Sequence, residues 1–468
     1  MRLARLTLVL LAFVGVFAAA SVARPIEKSI VLVDTSPIET PIGSLLHSGQ
    51  LAKLRNQSEV LHFYEARNFA PAWANAGDVR AAIAILQQSD ADGLDPTTYR
   101  VHATPARDES SISARFDIEL TDAVLAYIHD MRGGRLSRDR VGFDVGLSSA
   151  AFDAPEVLSR ALANRAVASL PSALAPPHPE YARLKNALAQ YRNLATVKAG
   201  QQIALQGDTA ADADSSARAD AIIANMERWR WLPNRFEDTY VEVNTADATL
   251  KVVRQGQVVL VSRLVTGKRS TPTPLFQALI TGVTINPPWI IPASIARNEI
   301  WPKERRHPGY LASHHMVLDS ARGGLRQLPG PGNSLGQIKL EMANQFNSYL
   351  HDTPAKALFA KEDRHFSHGC MRTEQIRPLA SFALSGDTTS ALERIQAAIA
   401  TGETQRLSIE KPIPVYVLYW TAIAKEDGSV QFLPDVYGRD AKMLVALRGQ
   451  SPIGRMALVT ECAAFGRA

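Results

Sequence analysis

The spacing of apolar positions changes twice along the chain. From about Ser44 to Arg192 it is helical. In VRAAIAILQQSDADGL, Ala81, Ala82, Ile85 and Leu86 fall on one helix face. FDIELTDAVLAYIHDMRGGRLS repeats the pattern and stops at Gly133-Gly134. ALANRAVASL and YARLKNALAQYRNL are further helix candidates, and ADGLDPTTY carries turn chemistry between them. This half is predicted to be all-α. The stretch GQQIALQGDTAADADSSARA, about 200–219, is polar and nearly non-periodic and reads as a linker, followed by a short helix over about 220–229. Past about Leu232 the period becomes two. Val241 and Val243, Leu250 and Val252, and Val259 and Val261 alternate, with Ala246-Asp247 and Gln255-Gly256 in the turns, so a meander of about three strands is expected. GVTINPPWIIP (282–292) is expected to be another strand ending in a Pro/Trp loop, and IPVYVLYWTAIA (413–424) with a partner near 430–433 late strands of the same sheet. Residues 291–339 have little strand character. Their length, Gly323-Gly324 and PGPGNSLG suggest a functional lid. The fold class is therefore α+β, a helical region followed by a mainly-β domain with a lid insertion.

The N-terminus adds a destination. Arg2 and Arg5 precede an apolar run from Leu6 to about Ala20, and Ser21-Val22-Ala23 offers a cleavage site. The run is short for a membrane span of ~20 residues. It reads as a cleaved export signal over 1–23, with a retained membrane anchor as the alternative. The boundaries that follow are an extended lead-in (24–43), a helical domain (44–199), the linker and short helix (200–231), the β-rich domain (232–448, lid 291–339) and a C-terminal tail (449–468). Formal charge is only +5 on 468 residues, with both signs interspersed, so a nucleic-acid partner is not expected.

Candidate chemistry gathers in the second half. Six of the eleven histidines lie between His307 and His368, beside Cys370 in FSHGCMR. Export permits a disulfide, and the only available pair is Cys370 with Cys462. A metal is not expected, since the CxxC and HExxH spacings of zinc sites are missing and His314-His315 would diverge from a strand. No cofactor is expected either. His307, His314 and His315 read as polar side chains facing solvent. Cys370 is flanked by Ser, His, Gly and Arg, unlike a buried structural thiol. It fits a nucleophile, which needs a base to reach its thiolate. His368 leaves the same tight segment and is poorly placed for that task. His351, in YLHDTP, is the better base. Gly369 allows close backbone approach, and the N–H groups around 369–370 are candidate oxyanion donors.

Tyr349-Leu-His-Asp-Thr-Pro354, a gap of fifteen residues after His351, and Ser367-His-Gly-Cys-Met-Arg372 resemble the catalytic signature of the L,D-transpeptidases. MERWRWLPN, LVTGKRSTPTP, NPPWIIPASIARNEIWPK, LPGPGNSLGQIK and VYVLYWTA resemble other landmarks of the large Gram-negative members. FYEARNFAPAW and ADADGLDPTTY resemble their helical scaffold domain. The resemblance covers most of the chain after the signal. It implies a periplasmic cell-wall enzyme of peptidoglycan biosynthesis and a carbapenem target. Its partners would be a tetrapeptide stem as donor and a second stem as acceptor, with Cys370 as nucleophile and His351 as general acid/base. Ser367, His368 and Gly369 would shape the oxyanion turn. Arg372 would hold a carboxylate or buttress the loop, and Tyr349 and Trp289 would line the substrate site. Such members usually carry a small peptidoglycan-binding domain between scaffold and catalytic domain. Here that interval is only the 200–220 segment, so wall binding would rest on scaffold and lid. Hydrolysis of the same acyl-enzyme, by trimming stems or releasing a wall-linked lipoprotein, is the alternative activity. A wall-binding scaffold with a retired site is the non-enzyme alternative.

Overall fold

The computed structural model describes residues 40–48, 54–103, 113–138, 141–148, 151–202, 209–319, 323–385 and 388–449. The expected export signal, the first part of the lead-in, Cys462 and nearly all of the C-terminal tail lie outside the described residues.

The N-terminal half is built from helices α1 (Pro41–His47), α2 (Gln57–Glu65), α3 (Ala76–Gln87), α4 (Ala114–Gly133), α5 (Ala154–Ala163) and α6 (Leu170–Leu174). The lead-in thus ends in a helix, because the Thr40 hydroxyl accepts from the Gly43 N–H and Pro41 starts the first turn. Helix α4 is capped by Ser113 and runs through the centre of this region, with Phe116, Leu120, Val124, Tyr127 and Met131 all buried. Asp117 on α4 is buried but satisfied. It accepts from the Tyr64 hydroxyl (2.5 Å) and from the backbone N–H groups of Ala72 (2.9 Å) and Trp73 (3.0 Å).

Two longer helices follow, α7 (Pro179–Gln202) and α8 (Thr209–Trp229), packed on each other. This corrects the linker expected at 200–219, which is helical from Thr209 on. Alanine sustains a helix without an apolar period, and Ala219, Ile222 and Met226 of α8 bury their side chains beside Tyr181, Leu184 and Leu188 of α7. The same cluster contains Tyr416, Tyr419, Trp420 and Met443 of the β-rich half, so this helix pair is the joint between the halves. The helical half is also not purely α. A two-residue strand, β1 (Val145–Gly146), pairs in parallel with the start of a strand in the β-rich half, Val145 opposite Leu275.

The β-rich half opens with β2 (Thr239–Asn244), β3 (Thr249–Arg254), β4 (Gln257–Gly267) and β5 (Leu275–Ile285). Val241, Val243, Leu250 and Val252 point into the core as their alternation predicts, but Val259 and Val261 are exposed. The β3–β4 register shifts between Val252 and Val253, and that irregularity moves the inward phase of β4 to Ser262 and Leu264. Next comes the insertion: β6 (Trp289–Ile291), α9 (Ala293–Ile295), a π-helical turn (Ala296–Ile300), α10 (Trp301–Arg306), α11 (Tyr310–Ser313), β7 (Met316–Asp319) and β8 (Gly324–Gln327). Strands β6, β8 and β7 form a sheet of their own over a small apolar cluster of Ile291, Ala296, Ile300, Met316 and Leu325. The chain returns to the main sheet as β9 (Ile338–Met342), so Lys339, placed by sequence at the end of the lid, belongs to the barrel.

After β9 come β10 (Leu350–His351), β11 (His365–Ser367), β12 (Met371–Thr373), helices α12 (Ile376–Ser385) and α13 (Thr388–Ala400), and the long β13 (Gln405–Leu418). The order β5-β13-β2-β3-β4-β12-β10-β9 closes on itself, because β9 also pairs with β5. The closed ring surrounds a core shared with α12 and α13. Residues 422–424 and 430–432, expected in this sheet, instead make a separate hairpin, β14 (Ala422–Ala424) with β15 (Val430–Phe432). Helix α14 (Arg439–Leu447) ends the described chain. Among the described residues no helix is long and apolar enough to cross a membrane.

Candidate active site

Three adjacent strands set the site. Ile338, Leu340 and Met342 of β9, Leu350 of β10 and Met371 of β12 are buried in the barrel core. Strand alternation therefore turns Lys339, Glu341, His351, Cys370 and Arg372 to the opposite face. Register then aligns them: Lys339 lies opposite His351, and His351 opposite Arg372. Cys370 precedes β12 directly, where the Met371 N–H donates to the Tyr349 carbonyl at 2.9 Å. His351 and Cys370 are thus diagonal neighbours on one face of paired strands. The half-buried thiol points its S–H toward the Asn347 carbonyl at 3.8 Å.

His351 is 4 % exposed. Its Nδ1 lies 2.5 Å from the Asp352 carbonyl oxygen. A carbonyl only accepts, so Nδ1 carries the proton and Nε2 keeps its lone pair. Burial pushes the imidazole pKa down to about 4, helped by the positive charge of Arg372. Asp352 is itself fixed, accepting from the Gln337 N–H (2.9 Å) and from Lys356 Nζ (2.5 Å). Gly336 makes room for it. This glycine has φ +62°, and a Cβ there would stand 2.4 Å from Asp352 Cγ.

The turn before the thiol is clamped from several sides. Ser367 Oγ donates to the Cys370 carbonyl (2.6 Å) and accepts from the Gly369 N–H (3.1 Å). Gly369 has φ +113°, and its carbonyl accepts from Ser348 Oγ at 3.0 Å. This corrects one expectation. The Gly369 N–H is not an open oxyanion donor, because the Ser367 side chain folds back onto it. The Ser367 carbonyl is held by the Lys268 N–H (2.9 Å) and Thr271 Oγ1 (3.1 Å). Residues 267–273 are tied down in turn. Tyr437 donates to the Gly267 carbonyl (2.6 Å), and Arg439 Nη2 to the Thr273 carbonyl (2.5 Å). Arg439 is buried among the rings of Phe143, Tyr419 and Tyr437, and burial lowers its pKa to about 10.

The remaining predicted residues separate. His368 faces the lid, with Nε2 2.5 Å from Glu299 Oε1 in the π-helical turn and 3.5 Å from Lys268 Nζ. Arg372 joins the row described above. Tyr349 packs against the edge of the barrel core, with Lys339 Nζ 3.9 Å from its ring centre. Trp289 is part of the lid's own apolar cluster and pairs with Gln327 across β6–β8. His307, His314 and His315 are exposed on the lid. Among the described residues no group of three His, Cys, Asp or Glu side chains is placed to hold a metal ion.

Residues 58–188 match the sequence model of the Scaffold domain, and residues 238–395 match that of the L,D-transpeptidase catalytic domain. The chain belongs to the L,D-transpeptidase family. A protein of Haemophilus influenzae, named "Putative L,D-transpeptidase", is 25% identical over 418 residues, which cover 84% of this chain and 80% of that one. Among solved structures, Mycobacterium tuberculosis L,D-transpeptidase 1 is 14% identical with a TM-score of 0.18, covering 39% of this chain and 61% of that one. An L,D-transpeptidase from Mycobacterium smegmatis is also 14% identical, with a TM-score of 0.21, covering 40% and 61%. The chain therefore spans less than two thirds of each of those solved chains, and the family assignment stands on the two sequence models. This L,D-transpeptidase catalytic domain is that of a peptidoglycan-modifying enzyme, and the family acts on peptidoglycan stem peptides.

Sequence reasoning missed Lys339, Glu299, Asp352 and Arg439. Asp352 lies next to His351 in YLHDTP, Glu299 within NPPWIIPASIARNEIWPK and Lys339 at the end of LPGPGNSLGQIK, so each sits in a stretch that carries the resemblance without being singled out there. Arg439 reaches the site from the C-terminal helix, and nothing in its neighbouring residues marks it.

Proposed function

We propose that this enzyme cross-links peptidoglycan stems through a thioester on Cys370. The observation that carries the reading is the buried imidazole with a fixed tautomer, one strand from the thiol. Nε2 of His351 takes the S–H proton as the sulfur attacks the carbonyl between meso-diaminopimelate and the terminal D-alanine of a tetrapeptide stem. The carbonyl π electrons move to oxygen. When they return, the C–N bond breaks, and His351 gives its proton to the departing D-alanine amine. The acyl group remains as a thioester. An amine of a second stem then attacks, loses its proton to His351 and expels the thiolate. Ser367 and Gly369 keep the turn in shape for this exchange, and His368 docks the lid over it. Tyr349 and, from the lid, Trp289 border the path of the stem. The enzyme works in the periplasm, reached through the N-terminal export signal.

Incubation with a carbapenem, read by intact mass, is expected to give one covalent adduct that disappears in Cys370→Ala. A wild-type protein without an adduct overturns the nucleophile. Digestion of purified wall after reaction with tetrapeptide stems is expected to yield cross-linked dimers. Tripeptide monomers alone would mean that water, not a second stem, takes the acyl group.

A further inference from the structure

Two cations flank His351 in the same row, Lys339 on β9 and Arg372 on β12. Both are half-buried, and burial lowers the pKa of each. Among the described residues neither is ion-paired with a carboxylate. Glu341, the acid on the same face of β9, is used elsewhere. It accepts from Arg406 Nε and from Thr284 Oγ1, both at 2.6 Å. Lys339 rests its ammonium over the Tyr349 ring, a soft contact that an anion outcompetes. Cys370 lies close enough to raise the proton affinity of both cations, so all of these groups share one small region.

Charge decides what is missing there. His351 is neutral, and passing the Cys370 proton to it leaves the total charge of the site unchanged. Glu341 acts on Lys339 from the same strand, but Arg406 already balances its charge. The two half-buried cations, neither in an ion pair with a carboxylate among the described residues, keep a positive surplus and a desolvation cost that a bound carboxylate relieves.

We infer that Lys339 and Arg372 together form the receptor for the terminal carboxylate of the leaving D-alanine. The inference rests on the tetrapeptide reading above. That carboxylate is separated from the attacked carbonyl carbon by only the amide nitrogen and one carbon, so it stays within about one residue length, ~3.8 Å, of the bond being broken. The side-chain carboxylate of diaminopimelate lies at the end of a flexible chain and reaches farther out. Arg372 offers a planar fork of donors and Lys339 a compact charge from the opposite side of His351. The pair selects donors that end in a free acid and holds the D-alanine amine where His351 can protonate it.

The test compares two donors on the full chain: a tetrapeptide stem ending in D-alanine, and the same stem ending in D-alaninamide. Release of the terminal residue gives kcat/KM for each. The wild type is expected to favour the acid by about tenfold or more, the scale of a lost charge-assisted contact. In Lys339→Met the ratio falls toward one, and in Lys339→Arg it is kept. Any effect on thiol reactivity acts on both donors and cancels in the ratio. Equal use of acid and amide by the wild type overturns the receptor and needs no variant to show it. A Lys339→Met protein that slows both donors equally overturns the part of Lys339. Failure of the wild type to release either terminal residue overturns the tetrapeptide reading itself.

Discussion

The buried imidazole of His351 makes a sharp prediction about acid. An ordinary histidine has a pKa near 6.5, whereas burial and Arg372 hold this one at about 4. At pH 5 a group one unit above its pKa is about 90% neutral, whereas an ordinary histidine is about 3% neutral. The base form should therefore persist roughly thirtyfold better than an unperturbed histidine would allow. Two measurements check this. The pH dependence of Cys370 acylation by a carbapenem should show its His351 acid limb near 4. NMR titration of His351 in Cys370→Ala protein should find the same value without the thiol. Arg372→Leu removes the second cause and leaves burial, so the limb should rise but stay below 6.5. A wild-type limb at 6.5 or above would refute the reasoning. The sign for stability follows from the same shift. The folded form takes up this proton less readily than the unfolded chain, so stability is full above about pH 6.5 and is lost as pH falls toward about 4. The loss is on the order of 3 kcal/mol and does not grow below that.

Gly336→Ala should cost about 2 kcal/mol or more and slow acylation, because the new Cβ meets Asp352 at a positive φ and displaces the carbonyl that fixes His351. Thermal unfolding and acylation rates that both match wild type would contradict it. Arg439→Met should slow acylation out of proportion to its change in stability. It leaves the Thr273 carbonyl without its donor, a cost of about 1–3 kcal/mol, while removing a buried guanidinium whose Nε and Nη1 have no partner. Denaturant unfolding beside acylation kinetics separates the two effects. Glu299→Gln should weaken the contact with His368 and raise amide exchange over residues 293–313 severalfold. Exchange identical to wild type would mean that this pair does not hold the lid.

Much of the architecture is written in local periodicity. The helical spacing before Arg192, the alternation in β2 and β3, and the motif around Cys370 are each decided by residues a few positions apart. Short-range sterics and the burial of one face suffice to read them. The alanine-rich run at 209–219 shows the limit. Its helix is stabilised by docking on α7, and no apolar stripe announces that contact. The exposed Val259 and Val261 show another limit, since one shifted register between β3 and β4 reverses which residues face inward.

The sequence alone singled out a thiol and a histidine fit to activate it, because both sit in a compact pattern whose chemistry is local. Their environment was settled only when distant strands came together. The lone pair on Nε2, the engaged Gly369 N–H, the lid contact through Glu299 and the pair of cations beside His351 all depend on groups far apart in the chain. Which of them meet is fixed by the register of β9, β10 and β12 and by the docking of the lid. Those are properties of the packed barrel, where the burial of Leu340, Leu350 and Met371 on one face dictates what stands together on the other.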